Sequence, residues 1–206
     1  MATKSEQRNQ TRHQLIQAGL RLSGEKGFGA LSLREVAVGA GITPAAYYKH
    51  FHDLEELGLV LLDEVGLSLR RMLREARKRV EPGPDAIRVS IDAFLKFVNE
   101  NGNLFRLLLG ERQGATPAFR KAIHTEMDRF VAELAADLER LQGALNQPLR
   151  DPSLTAEGIV AVVFTLGAEA LDLPKHKQSG LKERMTEHVR TILRGSKAPP
   201  KKGRAK

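Results

Sequence analysis

The chain has 206 residues, enough for one domain or two, and 41% of them are hydrophobic, an ample share for a packed core. No apolar run reaches the roughly 18 to 20 residues of a membrane span, and the start MATKSEQRNQ lacks the apolar stretch of a signal peptide, so the expected location is the cytoplasm. Cysteine is absent, which excludes disulfides, thiol nucleophiles and thiolate zinc sites, and the six histidines show no ligand spacing; neither a metal nor a cofactor is expected.

The net charge of +8 lies at the two ends. Residues 1–52 carry seven Lys or Arg against three acids, and residues 194–206 carry six against none, whereas 53–193 is not basic overall. A basic N-terminal segment suits phosphate binding, although a basic surface can also serve solubility alone.

In chain order, residues 1–8 are polar and read as frayed. Over 9–24, Leu15, Ala18, Gly19 and Leu22 recur at helical spacing and predict an amphipathic helix, closed by the GEKG segment with Gly27. Phe28 and Leu31 read as core anchors. Ser32-Leu33-Arg34-Glu35 is a capping box, so a short helix over 33–40 is expected to bury Leu33, Val36 and Ala37, with Gly39 in a late position where a helix former is usual. Gly41 can supply the positive φ of a tight turn.

The stretch 43–51, TPAAYYKHF, predicts the next helix, with Thr43 as N-cap and Pro44 in the first helical position. Ala45 and Ala46 allow close approach to a flat partner, Tyr47, Tyr48, Lys49 and His50 offer hydrogen-bonding tips, and Phe51 anchors the end. Core packing is the competing role for either tyrosine, and plain solvation for Lys49. Together these pieces form a three-helix helix-turn-helix unit, a fold that presents its last helix to the major groove of double-stranded DNA.

Asp53 with Glu56 marks a fourth helix running to about Arg79, whose first half (Leu57, Leu59, Val60, Leu61, Leu62, Val65) is apolar nearly all round and so is expected to be covered on several sides. Its arginines at 70, 71, 74, 77 and 79 complement the helix dipole or guard an anion entrance. After the Pro-Gly break at 81–84, further helices are expected over 85–100, 104–109, 117–142, 155–171 and 179–194. The helix over 155–171 has little polar face and needs cover on more than one side, from its own body or from a second copy. Residues 195–206 form a Pro, Lys and Gly tail with no capacity to pack. The expected fold is all-α, about nine helices, with domains over 1–52 and 53–194 and a basic tail.

Leu33 to Phe51, with Arg34-Glu35-Val36-Ala37, Ala40-Gly41-Ile42-Thr43 and Tyr48-Lys49-His50-Phe51, resembles the DNA-binding segment of the TetR family of bacterial transcriptional regulators. The resemblance covers residues 10–62 and departs at Asp53-Leu54-Glu55-Glu56, near which the family often carries a Lys. It implies that Ser32, Arg34, Thr43, Tyr48 and His50 meet phosphate, that Pro44, Ala45, Tyr47 and Lys49 face base edges, and that a homodimer built on the last two helices binds a palindromic operator.

Residues 104–140 resemble the subgroup of the family that represses unsaturated fatty-acid synthesis and desaturation and senses long-chain acyl-CoA, most specifically at Leu109-Gly110-Glu111-Arg112-Gln113-Gly114 and Phe119-Arg120. That resemblance implies a hydrophobic effector. Phe94, Phe97, Phe105, Phe130 and Phe164 could line its apolar tunnel, and Arg106 and Arg112 could meet its phosphate or thioester oxygen; each phenylalanine could equally be core. Repression of an efflux pump under another hydrophobic ligand is the alternative. An enzyme is not expected, since no nucleophile-base spacing, phosphate-cradling loop or carboxylate pair stands out, and a non-specific nucleoid protein would owe its binding to the basic tail.

Overall fold

The computed structural model describes residues 3–78, 84–110, 116–145 and 148–199. Among them lie nine α-helices: α1 (Lys4–Lys26), α2 (Leu33–Gly39), α3 (Pro44–Tyr47), α4 (Leu54–Lys78), α5 (Pro84–Glu100), α6 (Gly102–Gly110), α7 (Pro117–Leu145), α8 (Pro152–Ala170) and α9 (Gln178–Gly195). Short 3-10 turns at Phe28–Ala30 and Lys175–Lys177 complete the set, and the one pairing of extended backbone described is an isolated bridge between Leu149 and Lys197. The all-α expectation holds.

Several boundaries differ from expectation, each for a local reason. α1 starts at Lys4 because Thr3 accepts the Glu6 amide while Glu6 reaches back to the Thr3 amide at 2.6 Å, a closed capping box in a stretch expected to fray. α8 starts at Pro152, capped by Asp151, whose carboxylate accepts the Leu154 amide at 2.9 Å. α3 is a single turn. After Tyr47 the bonds tighten, Lys49 to Ala46 and His50 to Tyr47, so residues 48–50 form a turn rather than the continued helix expected to 51.

The chain divides into two compact units, one of residues 1–71 and 97–126, the other of 72–96 and 127–206, so the divisions fall inside α4, α5 and α7. In the first unit, α1 packs on α2 and α6, and Leu15, Ile16, Val36, Ala37, Leu57, Leu61, Phe105 and Phe119 are buried. Gly58 admits the stacked pair Phe28 and Phe119, 5.2 Å between centroids. Gly39 is exposed, and a Cβ there would make ordinary contacts with Leu22 and Ala18 beside the tip of the Arg21 side chain. The buried residues of α4 (Leu57, Gly58, Leu61, Leu62, Val65, Gly66, Leu69, Arg70) form one stripe, while Leu59 and Val60 are half-buried, so within the chain α4 is covered along one face rather than all round.

In the second unit α8 packs on α9, with Ala156, Ile159, Phe164, Leu181, Met185 and Val189 buried, and the Gln178 side-chain amide donates to the Ala170 carbonyl at the end of α8 and to the Leu173 carbonyl just beyond it. At 19 residues α8 is long and apolar enough, by length and composition, to cross a membrane, which corrects the expectation that no run reaches that length. Core helices of water-soluble folds pass the same test, and α8 lies against α9. The expectation of an unpacked tail from 195 also changes: Arg150 donates its amide to the Ser196 carbonyl at 2.8 Å, and Ala198 donates to Pro148 at 2.8 Å. Residues 200–206 lie outside the described residues, as do 79–83 and 111–115.

Candidate nucleic-acid interface and apolar cluster

The helix-turn-helix is assembled by caps and one glycine. Ser32 caps α2, accepting the Glu35 amide at 3.3 Å, while Glu35 takes the Ser32 amide at 2.9 Å and its hydroxyl at 2.7 Å. Lys26 and then Ser32 hold the Glu35 carboxyl down at about 2, well below the ordinary carboxylate range. α2 ends in a Schellman motif: Ile42 donates to Ala37 at 3.0 Å and Gly41, at φ 74°, donates to Val38 at 3.0 Å. Thr43 then caps α3, accepting the Ala46 amide at 3.2 Å, with Pro44 in the first turn.

The expected DNA-facing residues separate clearly. Arg34, Thr43, Pro44, Ala45, Tyr48 and Lys49 are exposed, Tyr48 at 63% of its surface. Ser32 is exposed too, but its amide and hydroxyl are engaged by Glu35. Tyr47 is the correction: expected at base edges, it is fully buried, packed against Phe51 with ring centroids 5.8 Å apart and planes tilted by 42°, and its hydroxyl donates to the Asp53 carbonyl at 2.8 Å. The reason is register. Phe51 sets the inward face, and Tyr47 four residues earlier shares it, leaving Tyr48 and Lys49 outward. Burial raises the Tyr47 phenol well above its ordinary range.

His50 is half-buried, its Nδ1 buried without a hydrogen-bond partner, and burial followed by the charges of Arg8, Arg12 and Lys49 lowers its pKa below the usual imidazole value. Two of those cations were not among the expected site residues. Arg8 and Arg12 come from α1, and their signal in the sequence is an i, i+4 pair of arginines just after the T-x-x-E start at Thr3.

Of the expected effector residues, Phe94, Phe130 and Phe164 meet in the second unit, with Phe164 5.5 Å from Phe94 and 5.1 Å from Phe130 between centroids. Phe97 and Phe105 are buried and belong to the first unit. Arg106 is exposed, and Arg112 lies outside the described residues.

A family model described as bacterial regulatory proteins, tetR family, matches residues 15–59, and one described as tetracyclin repressor-like, C-terminal domain, matches residues 84–194. Among solved structures, a bacterial regulatory protein in the tetR family from Rhodococcus RHA1 is similar at 19% identity and a TM-score of 0.69, over 97% of this chain and 100% of that one. A TetR-like transcriptional regulator from Rhodococcus sp. RHA1 gives 18% and 0.71, over 95% and 100%. The fatty acid degradation regulator FadR from Bacillus halodurans gives 15% and 0.70, over 90% and 95%. At such identities the likeness is one of fold. The two family models, of which the second alone spans more than half of the sequence, are what decide the matter: the chain belongs to the TetR family, and is a ligand-responsive, DNA-binding transcriptional regulator.

Proposed function

We propose that the chain, as a homodimer, represses transcription from a palindromic operator, with a reader over 1–52 and an effector and dimerisation body over 53–194. The observation that carries the reading is the pair Tyr48 and Lys49, exposed side by side directly after a capped, proline-started turn of helix, where Lys49 has no carboxylate partner among the described residues. Arg34, Thr43 and His50 would fix the reader on phosphate, and Pro44, Ala45 and Lys49 would meet base edges. Dimerisation is supported by α8, where Leu154 is 65% exposed and Val160, Val162, Val163 and Leu166 are only half-buried, an apolar face suited to an isologous pairing.

The effector is a long-chain acyl-CoA, and the regulated genes serve fatty-acid desaturation or unsaturated fatty-acid synthesis. Supporting this are the resemblance over 104–140, the Phe94, Phe130 and Phe164 cluster, and the fatty-acid connection of one protein of similar fold. An acyl chain favours one of two arrangements of the body, and α4, unbroken from Leu54 to Lys78, carries that preference toward the reader as a population shift. The test is to select an operator from random duplexes and titrate binding with saturated and unsaturated acyl-CoA. A palindromic winner and a chain-dependent affinity are expected. Identical affinity with every chain tried removes the acyl-CoA sensor, and mass spectrometry of the purified protein then identifies whichever other apolar ligand it carries.

A further inference from the structure

Four of the cations of α1 fall into two groups. Near its C-terminal end Arg21 pairs with Glu25 at 3.6 Å, and Lys26 pairs with Glu35. Near its N-terminal end Arg8 and Arg12, one helical turn apart and so on one face, have no carboxylate partner among the described residues. They turn instead to the segment after α3. Arg8 donates from Nη2 to the Lys49 carbonyl at 3.5 Å, and the Arg12 guanidinium lies 4.6 Å over the Phe51 ring.

Three cations from two elements, Arg8, Arg12 and Lys49, therefore act together on His50. Gathering like charges without an acid costs free energy, which a bound anion recovers. His50 registers that repulsion: its imidazole is held below the usual range by burial first and then by Arg8, Arg12 and Lys49. The geometry is fixed in advance as well. The Thr3 and Glu6 capping box orders the turn that carries Arg8, and the Phe51 ring face holds the Arg12 guanidinium over it.

We propose that Arg8 and Arg12 of α1, beside His50, form a clamp for the DNA phosphate backbone next to the recognition turn, so that α1 adds affinity without reading sequence while Lys49 is left to the base edges. This rests on the DNA-binding reading above and extends it to a helix outside the two of the helix-turn-helix. Contacts to phosphate release counterions, so each one steepens the salt dependence of binding by about 0.9 in log–log slope.

The experiment measures binding of the selected duplex and its single-base variants by fluorescence anisotropy from 50 to 300 mM potassium chloride, for the full chain and for Arg8→Gln, Arg12→Gln, Arg8→Lys and Lys49→Ala. Arg8→Gln is expected to flatten the slope by about 0.9, to weaken every duplex by the same factor, and to be rescued by Arg8→Lys. A loss that is constant at all salt concentrations shows that Arg8 only props the Lys49 carbonyl, and overturns the proposal. So does a loss confined to particular base pairs. Because Arg12→Gln exposes one side of Phe51, its unfolding midpoint is measured alongside, and the exposed Arg8 carries the test if that variant is unstable. A wild-type protein that binds no duplex ends the DNA reading itself. Duplex binding that is weakened by Lys49→Ala, while Arg8→Gln and Arg12→Gln keep the wild-type slope, ends this proposal alone.

Discussion

Tyr47→Phe separates the architecture of the reader from its recognition surface. The ring is fully buried and packs on Phe51, so the substitution keeps shape and apolar contact and removes a single hydrogen bond, from the hydroxyl to the Asp53 carbonyl at 2.8 Å. Asp53 is also the cap of α4, accepting the Glu56 amide at 2.8 Å, so the lost bond ties the recognition turn to the start of the next helix. A neutral hydrogen bond of this kind contributes about 0.5–1.5 kcal/mol net. At roughly 2–4 °C per kcal/mol for a chain of this size, the expected cost is a fall of a few degrees in Tm.

Operator affinity, measured well below that Tm, is expected to change less than twofold, because the hydroxyl never reaches DNA. Tyr48→Phe and Lys49→Ala should do the reverse, leaving stability within about 0.5 kcal/mol while weakening the operator complex. Were Tyr47 a base-reading residue, losing its hydroxyl would cost about 1–3 kcal/mol of discrimination between sites. A Tyr47→Phe protein with an unchanged unfolding curve and tenfold weaker operator binding would therefore refute the reasoning.

Three further outcomes follow from the packing. Gly58→Ala is expected to destabilise the fold in denaturant titration, since a Cβ there would lie 2.6 Å from the Phe119 ring and overpacking costs about 1–3 kcal/mol, more than the roughly 1 kcal/mol of helix propensity gained. Gly180→Ala in α9 meets nothing within 4 Å and should stabilise by up to about 1 kcal/mol. Arg70→Met removes the guanidinium that faces the buried Glu126 carboxylate, 2% exposed, and is expected to cost about 3–5 kcal/mol, most of it recovered in the double variant Arg70→Met, Glu126→Met; a double variant as unstable as the single one contradicts the pairing. Because Glu35 is held down at about 2 by Lys26 and Ser32, its contribution is complete above its unfolded value near 4.5 and disappears as pH falls toward 2. Unfolding curves of wild type and Glu35→Gln should therefore converge over that acid window, and a gap independent of pH would show that the carboxylate charge is not what matters.

How much of this was legible in the sequence depends on the range of the interaction responsible. Signals confined to four residues read correctly wherever they were sought: the capping box at Ser32, the Gly41 turn, and the proline starts at Pro44 and Pro117. The same signals were present at Thr3 with Glu6 and at Asp151 with Pro152, and the helices begin there. Polarity near the N-terminus and in a loop concealed them, although caps are polar by nature. Tyr47 was legible by a stricter use of periodicity, since its spacing from Phe51 fixes the shared face. What cannot be read locally is Gly66. In the sequence it is merely a weak point in a long helix, but a Cβ at that position would fall on the carboxylate of Glu126, which the Arg70 guanidinium meets one turn further along α4. The glycine makes room for a buried acid and the arginine neutralises it, so neither is intelligible without a partner more than fifty residues away. The same holds for Arg8. Its meaning lies in the Lys49 carbonyl that it meets, and a helical wheel of α1 shows only one more solvated charge.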